Sequence, residues 1–323
     1  MKKLLVLVLP LLVSSLAFAQ EKSGQDFAFK LYDTHAHFYS DDLARYPLHA
    51  EKAYMGPEKM KEIVLSRPST SARVFEIWDR NGVESGVGVQ YSAAYESDNA
   101  YLLDVAAQHA ARVHPVVILS LADKGAPQTL DSMAKTQGVV GIRMPITRDD
   151  GGRFPWLDSA LAQQIWDVAE RRQLAVVLFP PLRGEQSRAT ADALAARVPD
   201  LAKQYPHVRI VLDHMGWPEA KGAPDFGFSA VYQALALPNV YFKVTSVNFL
   251  TAKGKGVDPT GFLRHAVDLY GARKIMWGSD QGNTLVPYED MVSMAKASAA
   301  LLTPDEARQV FRETGMQVFS GRK

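Results

Sequence analysis

The chain contains no cysteine among its 323 residues. Disulfides, thiolate metal ligands, a cysteine nucleophile and a lipid-modified cysteine are all excluded. Charge of one sign is also missing, since 36 basic residues face 35 acidic ones for a net charge of +1. Such balance gives no electrostatic case for nucleic acid or an anionic membrane surface. No basic stripe, internal repeat or low-complexity segment is present. The apolar run Leu4–Leu16 falls short of the about 20 residues a membrane-spanning helix needs.

That run has another reading. Lys2-Lys3 precede it and Ala17-Phe18-Ala19 follow it. A positive start, an apolar middle and a small-x-small site make a secretory signal peptide. Cleavage is expected before Gln20, with residues 20–323 as the exported domain, periplasmic or secreted. Without disulfides, folding rests on the core, for which a 47% hydrophobic composition supplies ample material.

Beyond a short polar leader, strand-like and helix-like runs alternate. The strand candidates are Phe29–Phe38, Ser85–Tyr91, His114–Leu121, Val139–Ile146, Ala175–Pro180, Arg209–Gly216, Val240–Val247 and Lys274–Asp280. Most are continuous Val/Ile/Leu runs, the pattern of strands covered on both faces. Helix candidates between them include Ser71–Arg80, Asp98–Ala111, Ser159–Arg172, Thr190–Gln204, Thr260–Tyr270 and Tyr288–Ala299. This alternation predicts parallel pairing with right-handed crossovers. Eight units in about 250 residues match a single-domain (β/α)8 TIM barrel. The rival, a doubly wound sheet, would usually carry a glycine-rich turn after its first strand. His35-Ala36-His37 stands there instead. Residues 39–70 read as an insertion after strand one, and Thr303–Phe319 as an extra C-terminal helix.

Strand side chains alternate between faces, so His35 and His37 share one. At the C-terminal end of a first barrel strand they would point into the active-site mouth. Other polar groups occupy the same end of other strands: Arg143 on strand four, His214 on strand six and Asp280 on strand eight. Ionisable residues inside apolar strands are costly unless paired or functional. Asp280 reads as a general base or as the cap of a following helix. His214 is a functional or a hydrogen-bonded core histidine. Arg143 either holds a substrate anion or pairs within the barrel wall. Asp213 is expected to point away from His214 and, like Lys243, to be structural. His49, His109, His114, His207 and His265 are read as bystanders.

Asp33-Thr34-His35-Ala36-His37, Val211-Leu212-Asp213-His214-Met215-Gly216 and Trp277-Gly278-Ser279-Asp280, in this order, resemble the marks of the amidohydrolase-related family, in its "amidohydrolase 2" branch. The likeness runs from about Leu31 to Phe319. It implies a (β/α)8 barrel that hydrolyses, or less often decarboxylates, a small carboxylate-bearing or cyclic substrate. His35, His37, His214 and Asp280 match the family's catalytic positions. Metal-dependent members carry a histidine or lysine at the end of strand five, where this chain has Phe179. The resemblance therefore implies no metal requirement, or one divalent ion, Zn2+ foremost, on His35, His37 and Asp280. Lactonase-like members share the departure and work without metal in that likeness, so activity is expected to survive chelation at least in part. Gln281-Gly282-Asn283-Thr284 is a second departure, where many members have tryptophan and proline. The expected activity is hydrolysis of a lactone or similar small cyclic ester. Asp280 serves as base, Arg143 as substrate-binding group, and His35, His37 and His214 as catalytic partners. The alternatives are a metal-dependent decarboxylase of a small carboxylic acid and an exported binding protein without turnover. The expected partner is a small molecule, with no nucleic acid and no membrane after cleavage.

Overall fold

The computed structural model describes residues 27–180 and 187–320; the expected leader, residues 1–19, lies outside them. Eight strands form one sheet: β1 Leu31–Ala36, β2 Val83–Val89, β3 Val113–Val117, β4 Gly141–Pro145, β5 Ala175–Phe179, β6 Arg209–Leu212, β7 Val240–Thr245 and β8 Ile275–Gly278. They pair in sequence order, and every ladder is parallel. Helices follow the strands, among them Ser71–Arg80, Ala160–Arg172 and Pro259–Tyr270. Thr70, Ser159 and Asp258 cap these three by accepting backbone N–H bonds, which satisfies donors a helix start leaves orphaned. The architecture is a nearly closed (β/α)8 barrel. No described helix is long and apolar enough to cross a membrane.

The seam between β8 and β1 is stitched rather than laddered. His35 O accepts from Asp280 N at 2.8 Å, and His37 N donates to Gln281 O at 2.8 Å. Below these bonds Asp33 acts as a buried staple. Its Oδ1 accepts from His35 N at 3.0 Å and Ser279 N at 2.8 Å, and its Oδ2 from Ser279 Oγ at 2.5 Å and Tyr288 OH at 2.9 Å. Gly278 permits the close approach, since a Cβ there would lie 2.6 Å from His35 Cβ. The β1–β2 register slips between Asp33 and Ala36. Tyr32 therefore joins the inner core, while His35 and His37 belong to the mouth.

The inner core joins Val87, Val89, Val116, Val177, Val211 and Met276 to Val318 and Phe319. The C-terminal segment thus plugs the barrel floor. Its expected single helix is Pro304–Arg308 and Thr314–Phe319, joined by a π-helical turn at Gln309–Glu313. Residues 39–70 carry the helix Pro57–Ser66 and pack Tyr39, Tyr46, Met60 and Val64 against Tyr91 and Tyr95. That cluster forms one wall of the barrel mouth.

Candidate active site

A cavity of about 680 Å³ opens at the C-terminal ends of the strands; His37, Arg143, His214 and Asp280 line it. His35 lies beneath, fully buried. The spacing of His35 and His37 brings their Nε2 atoms to 3.3 Å. Asp280 Oδ1 stands 3.5 Å from His35 Nε2 and 3.6 Å from His37 Nε2.

The far ring nitrogens define what these atoms can do. His37 Nδ1 lies 2.9 Å from Val89 O. A carbonyl only accepts, so Nδ1 carries the hydrogen and Nε2 the lone pair. His35 Nδ1 faces Asp213 Oδ1 at 3.4 Å, which selects the same tautomer. Three electron-pair donors therefore converge with no hydrogen between them. Such a triangle suits a cation. Ligand atoms each ~2.1 Å from a tetrahedral ion stand about 3.4 Å apart, and the three observed separations match. Burial holds His35 neutral, well below the ordinary imidazole range, against the pull of Asp213.

Asp213 does not point away from the site. Alternation stops at Leu212, because His214, Met215, Gly216 and Trp217 all have positive φ. Both Asp213 and His214 consequently face the barrel interior. Asp213 accepts from Arg143 Nε at 2.8 Å and lies 3.2 Å from Lys243 Nζ. Lys243, Arg143 and His35 overcome the upward push of burial and hold its carboxyl well below the usual range. His35, Asp213 and His214 form a second trio of ligand atoms within 4.8 Å. Its carboxylate is already committed to two cations, so the His35–His37–Asp280 trio is the better metal site.

His214 is held by β7. Thr245 Oγ1 donates to Asn248 Oδ1 at 3.1 Å and lies 2.7 Å from His214 Nδ1. The hydroxyl hydrogen is spent on Asn248, so His214 donates from Nδ1 and keeps its lone pair on Nε2. Asn248 Nδ2 also bonds His214 O at 2.9 Å, fixing the left-handed backbone. Burial pushes the imidazole down to about 4, against the carboxylates of Asp280 and Asp213.

Phe179 is a wall rather than a ligand: its ring lies 5.7 Å from that of His214, and the Arg143 guanidinium stacks 4.0 Å above it. Arg143 pairs with Asp213, the wall pairing that was one of its two readings, and its guanidinium also lines the cavity. None of the five bystander histidines lines the cavity; His49, the one in the insertion, faces Asp98 at 3.6 Å near the surface. Sequence reasoning missed Asp33, Tyr91, Trp217, Asn283 and Thr284. Asp33 had a signal in its place two residues before His35, and Trp217 in its place after the Met-Gly turn. Asn283 and Thr284 had one in the stretch after Asp280 that departs from the family pattern; Tyr91 had none.

The family model described as Amidohydrolase matches residues 32–320. The chain belongs to the amidohydrolase family. This amidohydrolase-family chain is 28% identical over 253 residues to an L-fucono-1,5-lactonase of Burkholderia ambifaria, covering 77% of this chain and 79% of the lactonase. Among solved structures it resembles a probable 2-pyrone-4,6-dicarboxylic acid hydrolase of Acinetobacter baumannii with citric acid bound. There the TM-score is 0.66 at 22% identity, over 90% of this chain and 100% of that one. A dihydroxybenzoic acid decarboxylase of a Polaromonas species, with manganese and 2-nitroresorcinol bound, matches with a TM-score of 0.67 at 15% identity, over 91% of this chain and 98% of that one. At these identities the structural likenesses establish the barrel and no more.

Proposed function

We propose that this chain is an exported lactonase, hydrolysing a small, neutral, hydroxyl-bearing lactone. The cavity lining carries the reading. Tyr54, Tyr91, Ser92, Ser97, Ser120 and Thr147 line it and offer hydroxyl groups that both donate and accept. The charges on its lining balance: Lys52 and Arg143 against Glu96 and Asp280, with Lys52 facing Glu96 at 3.1 Å. Trp156, Phe179 and Trp217 supply apolar faces for a ring. The likeness to an L-fucono-1,5-lactonase supports the same class.

His35, His37 and Asp280 would hold one divalent ion, which when bound acts as a Lewis acid and lowers the pKa of water. Asp280 takes the proton of the attacking water. Arg143, anchored through Nε, donates from the outer side of its guanidinium to the lactone carbonyl or a hydroxyl. Neutral His214 accepts a substrate hydroxyl at Nε2 and assists the proton on its way to the leaving alkoxide. Val89 O and Asp213 keep the first-strand imidazoles in the tautomer that faces the site.

The competing reading, decarboxylation of a small carboxylic acid, draws on the decarboxylase likeness. A panel of sugar lactones assayed by acid release, beside aromatic acids assayed for CO2, separates the two. Lactone turnover is expected. Unlike the expectation drawn from Phe179, it should fall on chelation, because the His35–His37–Asp280 trio suits a cation; one equivalent of metal should leave the protein, and turnover should return when a divalent ion is restored. CO2 release without lactone turnover overturns the reading, and turnover of neither class leaves a binding protein.

A further inference from the structure

The geometry points to Asn283 and Thr284 as positioning residues that dedicate one oxygen of Asp280 to the histidine pair. The inference rests on the reading of Asp280 as a metal-holding carboxylate. Asp280 lies outside any strand, with φ +64, so the β8 ladder does not orient its side chain. The following loop does. Asn283 Nδ2 donates to Oδ2 at 2.9 Å, and Thr284 Oγ1 donates to the same oxygen at 2.6 Å. Both are charge-assisted bonds of strong geometry. Together they occupy Oδ2 and turn Oδ1 toward His35 and His37, at 3.5 and 3.6 Å.

The Asn283 amide is itself oriented. Its Oδ1 accepts from Tyr91 OH at 3.2 Å and Tyr54 OH at 3.5 Å, so its Nδ2 must be the end that faces Asp280. The Tyr91 ring packs 4.6 Å from that of His37. One hydrogen-bonded chain therefore runs from the insertion after β1, through Asn283, to the carboxylate. Tyr54, Tyr91 and Asn283 all line the cavity, so a ligand there touches the chain that sets the aim of Asp280. Residues 281–284, which depart from the family pattern, thus have a task of their own.

Groups that orient a metal ligand are typically worth about 10- to 100-fold in metal affinity. The test is Mn2+ binding to the metal-free full chain, followed by calorimetry, with thermal unfolding of the metal-free protein alongside. The variants are Asp280→Asn, Thr284→Val, Thr284→Ser, and Asn283→Ala combined with Thr284→Val. The wild-type chain should bind one ion, and Asp280→Asn should abolish binding. Thr284→Val should weaken it about 10-fold and the double variant more, with Thr284→Ser near wild type; the lost donors should lower the metal-free melting temperature by a few degrees at most per bond, and one cooperative unfolding transition shows that each variant is folded. If Asp280→Asn binds as the wild type does, or the wild type binds no ion, the reading of Asp280 fails and the inference with it. If Asp280→Asn abolishes binding while Thr284→Val and the double variant bind within about twofold of wild type, the positioning role alone is refuted. Should the double variant not fold, the Thr284→Val and Thr284→Ser pair decides by itself.

Discussion

At the scale of single residues, the site depends on where lone pairs and hydrogens lie. His35 and His37 each spend one ring nitrogen on an acceptor behind them and turn the other toward Asp280. Asp280 is the sole carboxylate of that trio. Asp280→Asn keeps the shape but removes the proton acceptor, so turnover of a lactone should fall at least about 100-fold, the usual worth of a general base. The circular dichroism spectrum should not change. Near-normal turnover would make Asp280 a structural turn residue. The histidine pair was legible because i and i+2 share a strand face. The pairing of Asp33 was not, whatever its place before His35 signals, because its Ser279 partner lies 246 residues away and no local pattern announces such a contact.

At the scale of elements, two junctions tie segments far apart in the chain. The first is the β1–β8 seam, where Ser279 Oγ bonds the buried Asp33 carboxylate. Ser279→Ala leaves that oxygen one donor short, and should cost about 1–3 kcal/mol. Urea unfolding should show it as a lower midpoint with an unchanged slope; an unchanged midpoint would make the staple redundant. The second junction ties the C-terminal segment to the helix Pro259–Tyr270. Arg264 grips Glu306 through bonds of 2.8 and 3.0 Å, and Glu306 also caps Thr303 N at 2.8 Å. The Arg264 bonds, followed by the Thr303 bond, push the Glu306 carboxyl down to about 2 from its ordinary 4.5. A depressed carboxyl stabilises the fold above its unfolded pKa, and the contribution drains away as pH falls from 4.5 toward 2. The stability gap between wild type and Glu306→Gln should therefore be wider at pH 7 than at pH 3. An equal gap at both values would show that the ion pair adds nothing. Helix and strand order was legible from periodicity, but strand ends were not. Expected β6 and β8 ran on through His214 and Asp280, whereas the left-handed backbone at both places ends the ladder and turns the side chains to the site.

At the scale of the whole molecule, the fold is held without disulfides, because the chain has no cysteine. The first 19 residues are proposed to direct export. Intact-mass analysis of exported protein should find Gln20 at or near the N-terminus; a chain that keeps Met1–Ala19 would refute the leader. The sequence by itself determined the barrel, since eight buried runs alternating with amphipathic helices admit few other packings. It also pointed to the histidine pair, His214, Arg143 and Asp280, which the fold brings to one mouth, because ionisable groups at the ends of apolar strands are costly unless paired or functional. Tertiary structure alone decided how those groups are held. Asp213 turns inward because the chain becomes left-handed after Leu212. Asn283 and Thr284 reach Asp280 because a loop, not a ladder, sets its side chain. Val318 and Phe319 complete the inner core because the last segment folds back under strands formed far earlier in the chain. These are contacts between distant segments, and periodicity carries information only about near ones.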